Sequence, residues 1–484
     1  MTQNFKKFKN ANLHDLLFAG RFGIEIEEHR VQTGRKSLSQ HPHSTNLGDR
    51  KTQPYFQTDF SESQEEVVTA TKHTSKDALN HLHELQTILA DELFSDEIIW
   101  PLSMPPYMSP DDIDYLVTHF ERPWYQNYRD VLIKRYGPYQ HIMTGVHVNF
   151  SLADALIKWF GAEKQIQSFP VAKNTLYFQI AQQVANYRWL LTYLFGASPV
   201  TENVTDNLPR DFKDIEPVRS WRASNFGFVN HFDQQIDYTD LSTYIGQIKH
   251  FVKTGDYYDK SEFYGPVRLK APGSLDDLRQ RGTAYLEFRM FDINPFSLDG
   301  ISQNELSFLH LLIIDSIMNP QEWSNAATKE ARMLNHVVAT QHPNDSLSAS
   351  LDQEIEPLFS RLNKIVNFSP IELREDFSRS LIFAEKALKN PELTIGAQLS
   401  KHIDNHSLTQ FALSRGQQIL SERKIIDNNF VFTPSHLKQM YIQAHKLGFK
   451  TLVLDNQNLQ VSYKNHVQSF KNNENLTKYM QTKK

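Results

Sequence analysis

Residues 23–31 read GIEIEEHRV, and the alternation in that stretch decides how the rest is read. Side chains on a β-strand point to opposite faces with a period of two, so Ile24 and Ile26 share one face while Glu25, Glu27 and His29 share the other. The apolar face belongs in a core. The pattern recurs at 144–151, TGVHVNFS, where Val146, Val148 and Phe150 oppose His147 and Asn149, and at 284–291, AYLEFRMF, where Leu286, Phe288 and Met290 oppose Tyr285, Glu287 and Arg289. Three strands of this kind predict one curved sheet that buries an apolar face against helices and gathers acids, an imidazole and a guanidinium in a polar concavity able to hold cations.

Outward from the strands, apolar residues at helical spacing predict helices over 77–93, 176–195 with Gly196 as the stop, 303–318 and much of 372–423. Helices and strands segregated in this way predict an α+β fold. Residues 206–273 are rich in Tyr, Asp, Phe and Gly without clear periodicity, which predicts long loops with short elements around a site, and 238–264 is the expected closing loop. Thr433 and Pro434 open a helix expected to run to Leu447, where Gly448 closes it, and 451–454 and 459–463 flank a turn at 455–458. The polar stretch 472–484 is expected to fray.

Composition removes whole classes of function. With 51 Lys+Arg against 56 Asp+Glu the net charge is -5, so no global basic field exists to hold nucleic acid or an anionic membrane. No apolar run reaches the roughly 18 residues a membrane span needs, and the N-terminus lacks the apolar core of a secretory signal; a cytoplasmic protein is expected. The chain has no cysteine, which excludes disulfides, thiolate metal sites and a thiol nucleophile, so any metal must sit on oxygen and imidazole. None of the 18 glycines lies closer than three residues to another, so no G-x-G-x-x-G cradle is present, and a nucleotide's phosphates would have to be managed by cations held on carboxylates.

The acidic run 58–69, TDFSESQEEVVT, supplies Asp59, Glu62, Glu65 and Glu66; if helical from Ser61, it would put Glu62 and Glu66 on one face. Each signal alone has an ordinary reading: a half-exposed strand, a hydrogen-bonded core histidine at His147, a solvated acidic turn, a surface pair at Arg222.

Taken in order, GIEIEEHRV, TDFSESQEEVVT, WPLSMPP, RYG, TGVHVNFS, LFGASP, SWRASNFGF and YLEFRMFDINPF resemble glutamate-cysteine ligase, in the form found as the N-terminal module of bacterial bifunctional glutathione synthases. The resemblance implies a glutamine synthetase-like fold, with a curved antiparallel sheet forming a funnel, and ATP-dependent joining of the glutamate side-chain carboxylate to the amine of cysteine through a γ-glutamyl phosphate. It implies Mg2+ or Mn2+ held by Glu25, Glu27, Asp59, Glu66, His147 and Glu287, with Arg289 against the transferring phosphoryl group and Arg222 and Tyr136 holding the cysteine. Where some relatives carry tyrosine, this chain has Phe228, which removes a hydrogen bond to the acceptor's carboxylate. It implies a catalytic domain over 1–430. The appendix at 431–484 resembles the opening of an ATP-grasp module that does not follow, so no addition of glycine is expected. Two rivals stand beside this reading: a ligase joining glutamate to another amine, which Phe228 keeps open, and a silent partner subunit, against which the retained acids weigh.

Overall fold

The 12-residue strand β1 (Arg21–Gln32) is the spine of the molecule, because four other strands pair with it. In this computed structural model, which describes residues 2–116, 123–205, 208–425, 429–430, 433–455, 458–464, 466–473 and 476, the main sheet also contains β2 (Ser37–Leu38), β3 (Phe56–Thr58), β4 (Gln64–Val68), β5 (Glu97–Trp100), β6 (Val146–Ser151), β7 (Val267–Lys270) and β8 (Tyr285–Phe291). Its order is β3-β4-β1-β6-β8-β7, antiparallel throughout among the described residues, with β2 and β5 pairing the far end of β1. The fold is thus mixed α/β, an antiparallel sheet clothed in helices.

The apolar alternation works as expected. Ile24, Ile26, Val67, Val148 and Phe288 are fully buried on one face, each contributing about 1.5–3 kcal/mol by leaving water. Against that face pack α1 (Ser75–Asp91), α3 (Phe169–Asn186), α4 (Arg188–Phe195) and α6 (Gln303–Met318); α2 (Pro123–Tyr136) lies toward the polar side, and α5 (Leu241–Thr254) adds Tyr244, Ile245 and Ile248 to the same core. Helix α6 is buried almost all round and starts at a capping box in which the Ser302 side chain accepts from the Glu305 N–H while Glu305 accepts from the Ser302 N–H at 2.7 Å. Helices α7 (Asn325–Thr340), α8 (Ala349–Phe368), α9 (Ile371–Lys389) and α10 (Thr409–Arg423), with several shorter ones, add to the helical layer.

Several expectations need correction. The predicted helix over 176–195 is two helices that meet at Tyr187. Residues 206–273 hold a 14-residue helix, α5, capped by the Asp240 side chain and ended by Gly255 in the left-handed region at φ 84°. It buries only Tyr244, Ile245 and Ile248, a stripe too narrow to show as periodicity, although both caps were readable. That helix also fills much of the expected closing loop, and the tyrosines bounding the segment, Tyr238 and Tyr264, are buried. The acidic run 58–69 is strand and turn, not helix: Glu66 sits in β4 opposite Glu27, whereas Glu62 forms a two-pronged ion pair with Arg50.

Near the C-terminus a 3-10 turn (Ser435–Leu437) leads into α11 (Lys438–Lys446), and β9 (Lys450–Asp455), β10 (Asn458–Tyr463) and β11 (His466–Phe470) make a three-stranded sheet where two strands were expected. This unit is packed onto the body: Leu437, Met440, Ala444 and Phe449 join the main core, Gln53 Nε2 donates to the carbonyls of His445 and Lys446, and Tyr441 Oη donates to Glu84 at 2.5 Å. The tip of the expected turn and most of 472–484 lie outside the described residues.

Candidate active site

Register, more than proximity in sequence, builds the site. Glu25 on β1 lies opposite His147 on β6, Glu27 opposite Glu66 on β4, and Glu287 on β8 between Asn149 of β6 and Arg268 of β7. Directly opposed residues share a face, so four strands bring these groups to one side of the sheet. A cavity of about 330 Å³ opens there, and its lining includes Glu25, Glu27, Asp59, Glu66, His147, Glu287 and Arg289.

His147 is the hub. Its Nδ1 lies 3.6 Å from Glu25 Oε2 and 3.8 Å from Glu287 Oε1, and its Nε2 lies 3.6 Å from Glu27 Oε1. These are spacings for groups that share a neighbour rather than for direct hydrogen bonds. One ligand atom each from Glu25, His147 and Glu287 falls within 4.8 Å of the others. Asn149 Nδ2 donates to Glu25 Oε1 at 2.6 Å and orients it. Arg289 Nη1 donates to Glu287 Oε1 at 2.8 Å, with Lys270 Nζ 3.2 Å from the other oxygen.

The electrostatics are lopsided. Burial first, then the charge of Asp59, pushes Glu27 up to about 8. Glu66 is raised well above its ordinary value by burial and by four neighbouring carboxylates. Burial also raises Asp59, against the pull of Arg129 and Arg289. Glu287 goes the other way, because Arg289, Arg268 and Lys270 outweigh its burial. Burial, then the positive charge of Arg289, lowers His147 to about 4, leaving a neutral ring with a free nitrogen lone pair. Three acids that resist ionising beside a neutral imidazole form a donor set that hard divalent cations would relieve.

Two residues expected at the site are placed elsewhere. The Arg222 guanidinium lies flat against Gly145, where a Cβ would come within 2.1 Å of Nη2, and is held by the carbonyl of Phe291 and by Asp292 at 3.5 Å. Tyr136 donates its hydroxyl to Glu262 at 2.9 Å and receives from Asn230, behind Tyr264. Neither lines the cavity. His29, grouped with Glu25 by alternation, is buried past the cavity against the Ile142 carbonyl at 2.7 Å.

Conversely, Arg129, Arg268, Lys270, Tyr128, Tyr264 and Trp124 line the cavity without having been singled out. For β7 the signal was present: VRLK at 267–270 alternates apolar and basic, but it lay inside a stretch read as loop. Arg129 gave none, since it projects from α2 and only the fold brings it to Asp59.

A sheet face that concentrates carboxylates, one neutral imidazole and a guanidinium is a donor set of the kind that suits hard divalent cations. The family described as glutamate-cysteine ligase matches residues 5–260 and 258–338, and the chain belongs to that family. It is 34% identical over 414 residues to the glutathione biosynthesis bifunctional protein GshAB of Streptococcus mutans, covering 84% of this chain and 53% of that protein. With its counterpart from Enterococcus faecalis it shares 30% identity over 480 residues, 96% of this chain and 61% of the relative. The crystal structure of a bifunctional glutathione synthetase from Pasteurella multocida superposes with a TM-score of 0.87 at 27% identity, over 97% of this chain and 62% of that one. A glutamate-cysteine ligase from Francisella tularensis, solved in complex with AMP, shares the fold with a TM-score of 0.74 at 22% identity, covering 88% and 92%. The chain spans about half the length of the curated relatives it matches.

Proposed function

We propose that this chain joins the side-chain carboxylate of L-glutamate to the amine of L-cysteine at the expense of ATP, the first step of glutathione biosynthesis. The observation that carries the reading is the convergence of Glu25, Glu27, Asp59, Glu66, His147, Glu287 and Arg289 on one cavity, in a chain whose family is glutamate-cysteine ligase. The glutamate carboxylate oxygen attacks the γ-phosphorus of ATP, ADP leaves, and an acyl phosphate forms. The cysteine nitrogen then attacks the acyl carbon, inorganic phosphate leaves with the original oxygen, and the nitrogen loses its proton.

The chain's residues serve the anionic crowding of that chemistry. Arg289, fixed by its bond to Glu287, presents a planar and permanently charged group toward the cavity. Its stabilisation of the spreading phosphoryl charge is worth about 3 kcal/mol in comparable sites. Lys270 and Arg268 add positive charge on the neighbouring strand. Glu25, Glu27, Glu66, Glu287, Asp59 and His147 would hold Mg2+ or Mn2+, and the buried His147 Nε2, which has no hydrogen-bond partner, fits that role. When bound, such ions screen the repulsion between carboxylate and triphosphate. Arg222 and Tyr136 we keep as residues that shape the acceptor's side, acting from behind the wall.

The same proposal includes a glutamine synthetase-like funnel, which the one-sided gathering of polar groups supports, a catalytic unit over 1–430 with 431–484 as its appendix, and residence in the cytoplasm, where ATP and reduced cysteine coexist. The test is ADP release with ATP, Mg2+, glutamate and a panel of amines. Cysteine should be the fastest acceptor. Equal or faster turnover with a non-thiol amine moves the reading to a related ligase, and no ADP formation with both amino acids present refutes catalysis.

A further inference from the structure

Phe228 lines the catalytic cavity, but its neighbour Val229 lines a second one of about 50 Å³ behind the same wall, and Tyr264 borders both. The second cavity carries two guanidinium groups, Arg188 and Arg332, and among the described residues no aspartate or glutamate lines it. Arg188 Nη2 donates to the Ala223 carbonyl at 3.1 Å, and no carboxylate lies within ion-pair distance of this guanidinium among the described residues. Burial and the nearby positive charge of Arg222 lower it to about 10. Arg332 reaches Asp237 only at 3.6 Å.

Four buried atoms on this cavity have no hydrogen-bond partner: the Nε–H donors of Arg188 and Arg332, and the acceptor oxygens Asn186 Oδ1 and Gln235 Oε1. Buried polar groups in folded proteins are nearly always paired, so four orphans around one space mark a space built for polar contents. Their pattern states the chemistry. Two guanidinium forks, Arg188 with no acid at ion-pair distance and Arg332 with only Asp237 at 3.6 Å, ask for a carboxylate, and two bare amide oxygens ask for an N–H donor. A water needs about 10–15 Å³ of such volume, so the space takes roughly three to five heavy atoms.

We propose that this cavity is a binding site for a small carboxylate carrying an N–H donor, of the size of glycine, with the carboxylate on Arg188 and Arg332 and the ammonium on Asn186 and Gln235. Because Tyr264 is shared, occupation of this site and of the catalytic cavity are linked, each changing affinity at the other by one factor.

Binding is read directly, by calorimetry and saturation-transfer NMR, using glycine, acetate and methylammonium as probes with no nucleotide present, so the result does not depend on ligase activity. Glycine should bind one per chain, acetate more weakly and methylammonium not at all. Arg332→Gln, on a helix with its side chain partly exposed, and Arg188→Gln should each weaken glycine by about tenfold, the loss of one charge-assisted bond. Glu287→Gln, across the wall, should leave it within about twofold. Melting curves verify that the variants fold. Absence of glycine binding, or binding that Arg332→Gln leaves unchanged, or binding abolished by Glu287→Gln, overturns the assignment and leaves a hydrated void.

Discussion

Two acidic clusters grow from the same pair of strands, and they have opposite characters. Glu65 and Glu66 are adjacent on β4 and point to opposite faces. Glu65 accepts from Arg30 Nε at 2.7 Å and from His43 Nδ1 at 2.7 Å, and Arg30 Nη1 holds Glu97 at 2.7 Å while Arg50 clasps Glu62. Despite burial, His43 and Arg30 hold Glu65 below the ordinary carboxylate range. One position along, Glu66 faces Asp59, Glu25, Glu27 and Glu287 and is pushed well up. In the first cluster every charge is answered by the chain itself. In the second the acids outnumber their partners, and the crowding is left for something other than the chain to relieve.

The comparison breaks most sharply at Arg30. Arg30→Met leaves Glu65 and Glu97 buried without a counter-charge and should destabilise the protein by about 3–5 kcal/mol in urea unfolding, while the folded fraction keeps its turnover per molecule. A mild effect on stability together with loss of turnover would show that this cluster also serves catalysis. At the other cluster, Arg289→Ala should lower γ-glutamylcysteine formation by about 10²–10³-fold, equivalent to about 2.7–4 kcal/mol, with a smaller change in melting temperature. Turnover within tenfold of the parent would remove Arg289 from the phosphoryl path.

Mg2+ sharpens the contrast at the next level. At roughly a hundred times its dissociation constant it should stabilise the parent by about 2.7 kcal/mol. Glu66→Gln should melt higher than the parent without cation, because a buried carboxyl crowded by four other acids is gone, and respond less to Mg2+; Glu65→Gln should melt lower and respond as the parent does.

A separate effect, spread over pH, concerns the seam with the C-terminal unit, where His81 Nε2 lies 3.1 Å from His445 Nε2 and His445 Nδ1 donates to the Tyr441 carbonyl. Burial lowers His445 to about 4, so as pH falls below about 6.5 the unfolded chain takes up a proton that the folded chain refuses. Stability should therefore decline by about 1.4 kcal/mol per pH unit for this residue between about 6.5 and about 4, then level off. His445→Gln should make the acid limb of the stability curve shallower by one proton; an unchanged slope would place the uptake elsewhere.

Much of the site was legible because strands advertise themselves. Period-two alternation in 23–31, 144–151 and 284–291 named the faces on which Glu25, Glu27, His147, Glu287 and Arg289 lie. The acidic run misled because its residues alternate in a strand and a turn, a spacing that also fits one helix face, and only pairing with β1 separates Glu66 from Glu62. Helix α5 escaped because three buried positions make too faint a stripe.

Local chain chemistry determined which residues are acidic, which face each strand buries, and that cations, if any, sit on oxygen and imidazole, since those properties reside in side-chain identity and in the two-residue repeat of extended backbone. Tertiary structure alone decided which acids meet. Register set Glu27 across from Glu66 and Glu25 across from His147, left Arg222 and Tyr136 behind the wall, and placed Arg30 between Glu65 and Glu97. Charge compensation is a property of distances of a few ångströms between residues far apart along the chain, and those distances exist only once the sheet has closed.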